Sequence, residues 1–188
     1  GQRHETVYLQ GRYYLEKRGL LDESLIETFK IGFSDGSLNK ALENNKVSGL
    51  RFDERSVLLS QLGVFKPNYQ ETFASSVIFP VLDAMGVCTE LYARRVIHYE
   101  ERVSNHCLSK GEHLGIWNAR NVEDAETVIL TEGIIDALSI YKAGFKNVTA
   151  LYGVSGYTKA HENLFQNKKS VIFALDNDEA GQRAVNSL

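Results

Sequence analysis

The sequence predicts an α/β protein, with a parallel-sheet βαβ subdomain preceded by a smaller mixed α+β subdomain. Two patterns carry this expectation. After Asp124, short apolar runs alternate with helical spacings in the order β-α-β-α-β-α, the rhythm of a parallel sheet with right-handed crossovers. Before that point, helical periodicity gives way to a β-hairpin pattern. A third observation makes a core affordable: of 188 residues, 43% are hydrophobic and 24% charged, which argues against disorder. The expected division is residues 1–123 and residues 124–188.

The elements follow in order. From Val7 to Phe33 the pattern is helical; Tyr8, Gly11 and Leu15 share a face, and Gly19 is the stop. Asp22 offers an N-cap to a second helix carrying Leu25, Ile26 and Phe29, with Gly32 past its end. Two short helices are expected over Ser37 to Asn44 and Asp53 to Leu62, then a loop at Gly63, Pro67 and Asn68. Val77 to Leu82 reads as a strand, Asp83 to Gly86 as a turn, and Val87 to Val96 as the returning strand. Pro80 asks for an edge or a bulge. In the returning strand Val87, Leu91, Ala93 and Arg95 form the mainly apolar side, and Cys88, Glu90, Tyr92 and Arg94 the other. Residues 97–120 read as a polar connection. The second half is expected as strand Thr127–Thr131, helix from Ile134, strand Val148–Leu151, helix Thr158–Phe165, strand Val171–Leu175 and helix Glu179–Leu188. The chain is expected to stop before its last native strand.

Charge and cysteines narrow the function. Lys plus Arg is 21 and Asp plus Glu is 24, a net charge of -3, so any nucleic-acid contact needs a local basic cluster or bound metal. Two cysteines exclude a disulfide framework and a four-cysteine zinc site. Cys88, His98, His106, Cys107 and His113 lack zinc spacing, and no zinc is expected. No apolar run is long enough for a membrane span, and a cytoplasmic protein is expected.

Ligands of parallel sheets sit beyond the carboxyl ends of the strands. Three strands here deliver distinctive residues there: Glu132-Gly133 with Asp136 one turn on, Gly153 to Gly156, and Asp176-Asn177-Asp178-Glu179. Gathered carboxylates repel and take up protons unless a cation compensates. Oxygen-only donors suit Mg²⁺ or Mn²⁺, and that chemistry is phosphoryl or nucleotidyl transfer. Capping would explain each acid separately, but not why two strand ends carry them. The Gly153–Gly156 loop lacks a phosphate-loop pattern and reads as a plain turn; His161, beside Leu164 and Phe165, reads as a core residue. Arg94, Arg95, Arg102, Lys110 and Arg120 lie among Glu100, Glu101 and Glu112, as on an ordinary mixed-charge surface. Strand parity sets Arg95 apart as a candidate phosphate contact.

These residues resemble the catalytic core of DnaG-type bacterial primases, and the second half resembles a Toprim domain. The acidic motif is matched by Leu130-Thr131-Glu132-Gly133-Ile134-Ile135-Asp136-Ala137-Leu138, and the DxD motif by Leu175-Asp176-Asn177-Asp178-Glu179. Tyr14 to Leu20, Phe29-Lys30-Ile31-Gly32-Phe33, Val77 to Val81, Ala93 to Val96 and Lys110-Gly111 are similar to amino-terminal primase-core segments. The resemblance implies Glu132, Asp176 and Asp178 as catalytic metal ligands, with Asp136 assisting. It implies Mg²⁺ or Mn²⁺, with two or more ions among the options, and basic contacts to template or nucleotide at Arg95 and Lys110; Arg94 and Arg102 are further nucleic-acid-binding candidates from the same basic stretch. The implied activity is synthesis of short RNA primers on single-stranded DNA from ribonucleoside triphosphates. A replicative helicase would be met through regions outside this sequence. Thr28, Ser75-Ser76 and Val103 to His106 depart from the family's usual residues, as in a divergent primase of a mobile element or phage. Two rivals stay open: a Toprim nuclease, and a module without catalysis that binds DNA or a replication partner.

Overall fold

The structure, a computed structural model, describes residues 2–44, 52–96, 106–108, 113, 115–153, 156–176 and 179. By spatial contacts the chain divides into two compact units. One is Gly1–Leu21 with Ile26–Phe79 and Leu91–Glu112; the other is Asp22–Leu25 with Pro80–Glu90 and His113–Leu188. The division proposed from sequence, at residues 123 and 124, follows secondary-structure rhythm instead of contacts.

Helices α1 (Gln2–Lys17) and α2 (Glu23–Phe29) open the chain. The first ends as its sequence asks. Gly19 N–H donates to Glu16 O and Leu20 N–H to Leu15 O, both at 2.8 Å, a closure that needs the left-handed backbone Gly19 adopts at φ 66°. Asp22 Oδ1 then accepts from Leu25 N–H at 3.1 Å, the expected cap. The end of α2 differs from expectation. Lys30, not Gly32, takes the left-handed turn at φ 53°, and Ile31 N–H closes on Ile26 O. Gly32 and Phe33 instead belong to strand β1 (Gly32–Ser34). Helices α3 (Leu38–Asn44) and α4 (Phe52–Gln61) follow.

Strands β2 (Ser76–Leu82), β3 (Cys88–Arg95) and β4 (His106–Leu108) complete a four-stranded sheet in the order β1-β2-β3-β4. The Asp83–Gly86 turn holds because Asp83 Oδ1 accepts from Met85 N–H and Val87 N–H. The described register of β1 ends at Ile78, so Pro80 lies beyond it, at an effective edge. Both sides of β3 carry buried residues, Ala93 on the expected apolar side and Glu90 and Tyr92 on the other, while Leu91, Arg94 and Arg95 are half-buried. Buried Leu15, Phe65, Phe73, Val77 and Phe79 make the core of the first unit.

The second unit carries a parallel sheet of β5 (Thr127–Thr131), β6 (Val148–Ala150) and β7 (Ser170–Ala174), in the order β6-β5-β7. Helix α6 (Ile134–Lys142) links β5 to β6, and α7 (Lys159–Phe165) links β6 to β7. Val128, Leu130, Ile134, Leu138 and Val148 are fully buried. The segment expected as a connection holds β4 and a short helix α5 (Ala119–Val122). Before α5, Asn118 Nδ2 donates to Lys146 O and Val148 O at 2.9 and 2.8 Å, pinning the chain to β6. Residues 97–105 and the expected helix beyond Glu179 lie outside the described residues. Among the described residues, no helix is long and apolar enough to cross a membrane.

Candidate functional site

Central strand β5 pairs with β7 from Thr127↔Ser170 to Thr131↔Ala174. Glu132 follows β5 directly and Asp176 follows β7 by two residues; continuing the register sets Asp176 level with Gly133. Neighbouring strands lie about 4.8 Å apart, so two acids 44 residues apart leave the sheet at one edge. Glu132 is half-buried, and Asp136 and Asp176 are exposed. Gly133 caps α6 in extended backbone. A Cβ on Gly133 would sit 3.2 Å from Asp136 Oδ2, so that carboxylate folds back over the helix start.

The main chain at Glu132 is held from the β6 side. Leu151 N–H donates to Thr131 O at 2.9 Å and Gly153 N–H to Glu132 O at 3.1 Å. The buried Thr131 hydroxyl reaches Gly133 O at 2.9 Å and Thr149 O at 3.2 Å. Gly156 N–H is spent on Gly153 O at 2.8 Å; Val154 and Ser155 lie outside the described residues.

The structure brings the ends of β5 and β7 together. Among the described residues, no group of three or more His, Cys, Asp or Glu is arranged to hold a metal ion; Asp178, the second acid of the DxD pattern, lies outside them. In donor chemistry the set fits a hard divalent cation, being carboxylate oxygens alone with solvent access. Of the basic candidates, Arg94 and Arg95 are half-buried on β3, and Arg95 Nη2 donates to Thr72 O at 3.3 Å. Arg102 and Lys110 lie outside the described residues.

Sequence reasoning missed a polar group in the second unit. Glu90, 7% exposed, accepts from Gly115 N–H at 2.8 Å and faces His113 Nδ1 at 2.9 Å. Tyr152 OH donates to Gly115 O at 3.0 Å, and its ring lies 5.6 Å from that of His113. Burial, then the nearby Glu90 charge, pushes the Tyr152 hydroxyl far above its ordinary range, so it stays a donor. The parity of Glu90 with Tyr92 was the available signal. His161 is fully buried, as expected of a core residue. Its Nε2 faces Ala150 O and its Nδ1 accepts from Thr158 N–H, and burial lowers its pKa.

Residues 2–106 match the family model described as the amino-terminal domain of the DNA primase catalytic core, and residues 129–188 match a Toprim-like model. A DNA primase of Aquifex aeolicus is 28% identical over 184 residues, 93% of this chain and 36% of that protein. A solved DnaG catalytic core shares the fold with a TM-score of 0.75 at 24% identity, covering 94% of this chain and 57% of that one. A DnaG primase catalytic domain solved bound to single-stranded DNA gives a TM-score of 0.72 at 22% identity, covering 96% and 58%. The chain spans roughly a third of the length of the curated relatives it matches. With more than half of its residues under the first family model, the chain belongs to the DNA primase catalytic core family.

Proposed function

We propose that this chain is the polymerase core of a primase, joining ribonucleotides into short primers on a single-stranded DNA template in the cytoplasm. The observation that carries the reading is the β5–β7 register, which delivers Glu132 and Asp176 to one sheet edge. Glu132, Asp176 and Asp178, assisted by Asp136, would hold Mg²⁺ or Mn²⁺ through carboxylate oxygens. Bound there, the ion would supply positive charge to phosphate oxygens and make a hydroxyl easier to deprotonate. The chain's own part is to present Glu132 and Asp176 from adjoining strand ends and Asp136 from the first turn of α6, and to bind the substrate's phosphates. Arg94 and Arg95, with Arg102 and Lys110, are proposed to contact template or triphosphate. A relative solved with single-stranded DNA supports the template assignment. Any helicase would be engaged by parts of the protein outside these 188 residues.

The test is Glu132→Gln in the full-length protein. Primer synthesis should be abolished with an unchanged unfolding midpoint; synthesis at the normal rate would remove Glu132 from the site. A DNA-binding module without catalysis is the alternative that a metal-removal experiment separates from this reading. That module would bind single strands equally well in EDTA, and alanine at both Asp176 and Asp178 would change nothing.

A further inference from the structure

The polar group around Gly115 connects to the sheet edge by an unbroken path. Glu90 Oε1 accepts from Gly115 N–H at 2.8 Å, and Gly115 O accepts from Tyr152 OH at 3.0 Å. The residues on either side of Tyr152 donate to the end of β5, Leu151 N–H to Thr131 O at 2.9 Å and Gly153 N–H to Glu132 O at 3.1 Å. We propose that Glu90 and Tyr152 are positioning residues, which fix the main chain at Glu132 and thereby the aim of its carboxylate at a divalent cation. This rests on the reading of Glu132 as a cation ligand.

The path has little slack. A Cβ on Gly115 would lie 2.5 Å from Thr89 Oγ1, 2.6 Å from Val81 Cγ1 and 2.8 Å from Glu90 Oε1, so the strand-paired hairpin grips that peptide directly. A Cβ on Gly156 would lie 2.4 Å from Tyr152 N, which closes the turn against the tyrosine backbone. The Tyr152 ring sits between two imidazoles, 5.6 Å from His113 and 6.1 Å from His161. Burying a carboxylate at Glu90 costs more desolvation than burying an apolar side chain of the same size. What the carboxylate adds is direction, because hydrogen bonds fix orientation where apolar contacts fix only distance. Groups that orient a metal ligand change metal affinity without touching the metal.

The test is Mn²⁺ alone, titrated into the full-length protein and followed by electron paramagnetic resonance. Tyr152→Phe removes one oxygen and should weaken Mn²⁺ binding on the order of tenfold while circular dichroism shows the native fold. Glu90→Met keeps side-chain length, removes both acceptors and should weaken binding likewise. Glu90→Gln, which keeps an acceptor for Gly115 N–H, should restore it. Native-fold Tyr152→Phe or Glu90→Met protein binding Mn²⁺ as tightly as wild type would overturn the proposal. So would equal weakening by Met and Gln at Glu90, since the acceptor would then be irrelevant. Glu132→Gln separates the two layers. If it abolishes the Mn²⁺ signal while the positioning variants do not, only the positioning role is lost. If it binds Mn²⁺ normally, the ligand reading itself fails.

Discussion

Glu90 uses both carboxylate oxygens, one on Gly115 N–H at 2.8 Å and one on His113 Nδ1 at 2.9 Å. The backbone of Gly115 can come that close because it has no side chain. Gly115→Ala would push a methyl against Thr89 and Val81, and such overpacking costs about 1–3 kcal/mol. A urea denaturation midpoint lowered at unchanged slope is the expected readout. His161 gives a pH prediction. Its Nδ1 accepts from Thr158 N–H, and burial holds its folded-state pKa below the ordinary 6.5. Above 6.5 the imidazole is neutral in both states, and its contribution to stability is complete. As pH falls through that value the unfolded chain takes up a proton that the folded chain resists, so stability declines until the folded-state pKa is passed. Urea unfolding across this range should show a shallower decline in His161→Gln than in wild type.

At the scale of elements, Lys30 ends α2 in left-handed backbone at φ 53°, where an L side chain is strained by roughly 1 kcal/mol or more. Its exposed ion pair with Glu27, at 3.5 Å, offsets little of that. Lys30→Gly should therefore raise the thermal midpoint, with a gain of about 0.5–1 kcal/mol after the added flexibility of the unfolded chain. An unchanged or lower midpoint would mean that the turn is not strained. The same turn explains why Gly32 was misassigned. Glycine is the usual helix stop, but sheet pairing of Gly32 with Ile78 claimed it for β1 and left the turn to its neighbour. In the parallel sheet, central β5 has partners on both flanks, so its end is held more firmly than an edge strand's would be.

Across the whole molecule, a net charge of -3 means that the proposed template binding would fall to local cations. If Arg94, Arg95, Arg102 and Lys110 each neutralise one phosphate, the logarithm of affinity for single-stranded DNA should fall against the logarithm of salt with a slope of about -3, from roughly 0.7 per phosphate. Fluorescence anisotropy over a salt series measures it, and a slope near zero would remove the four from the interface. The alternation of strands and helices after Asp124 was legible because each element carries its own periodicity, and so was the presence of acids at Glu132 and Asp176. The short strand β4 and helix α5 were not legible: three or four residues are too few for a period, and pairing with β3 or anchoring of Asn118 on β6 defines them. The burial of Glu90 was equally hidden, because a carboxylate in a strand reads as solvent-facing until Gly115 and His113, more than twenty residues away, supply its partners. Amino-acid order alone set the longer strands and helices and the placement of negative charge, since both are local properties of the chain. Tertiary structure alone decided that β5 is central, that it pairs directly with β7, and that a buried Glu90 carboxylate accepts from Gly115 N–H. Those facts depend on contacts between residues far apart in sequence, and no local pattern records them.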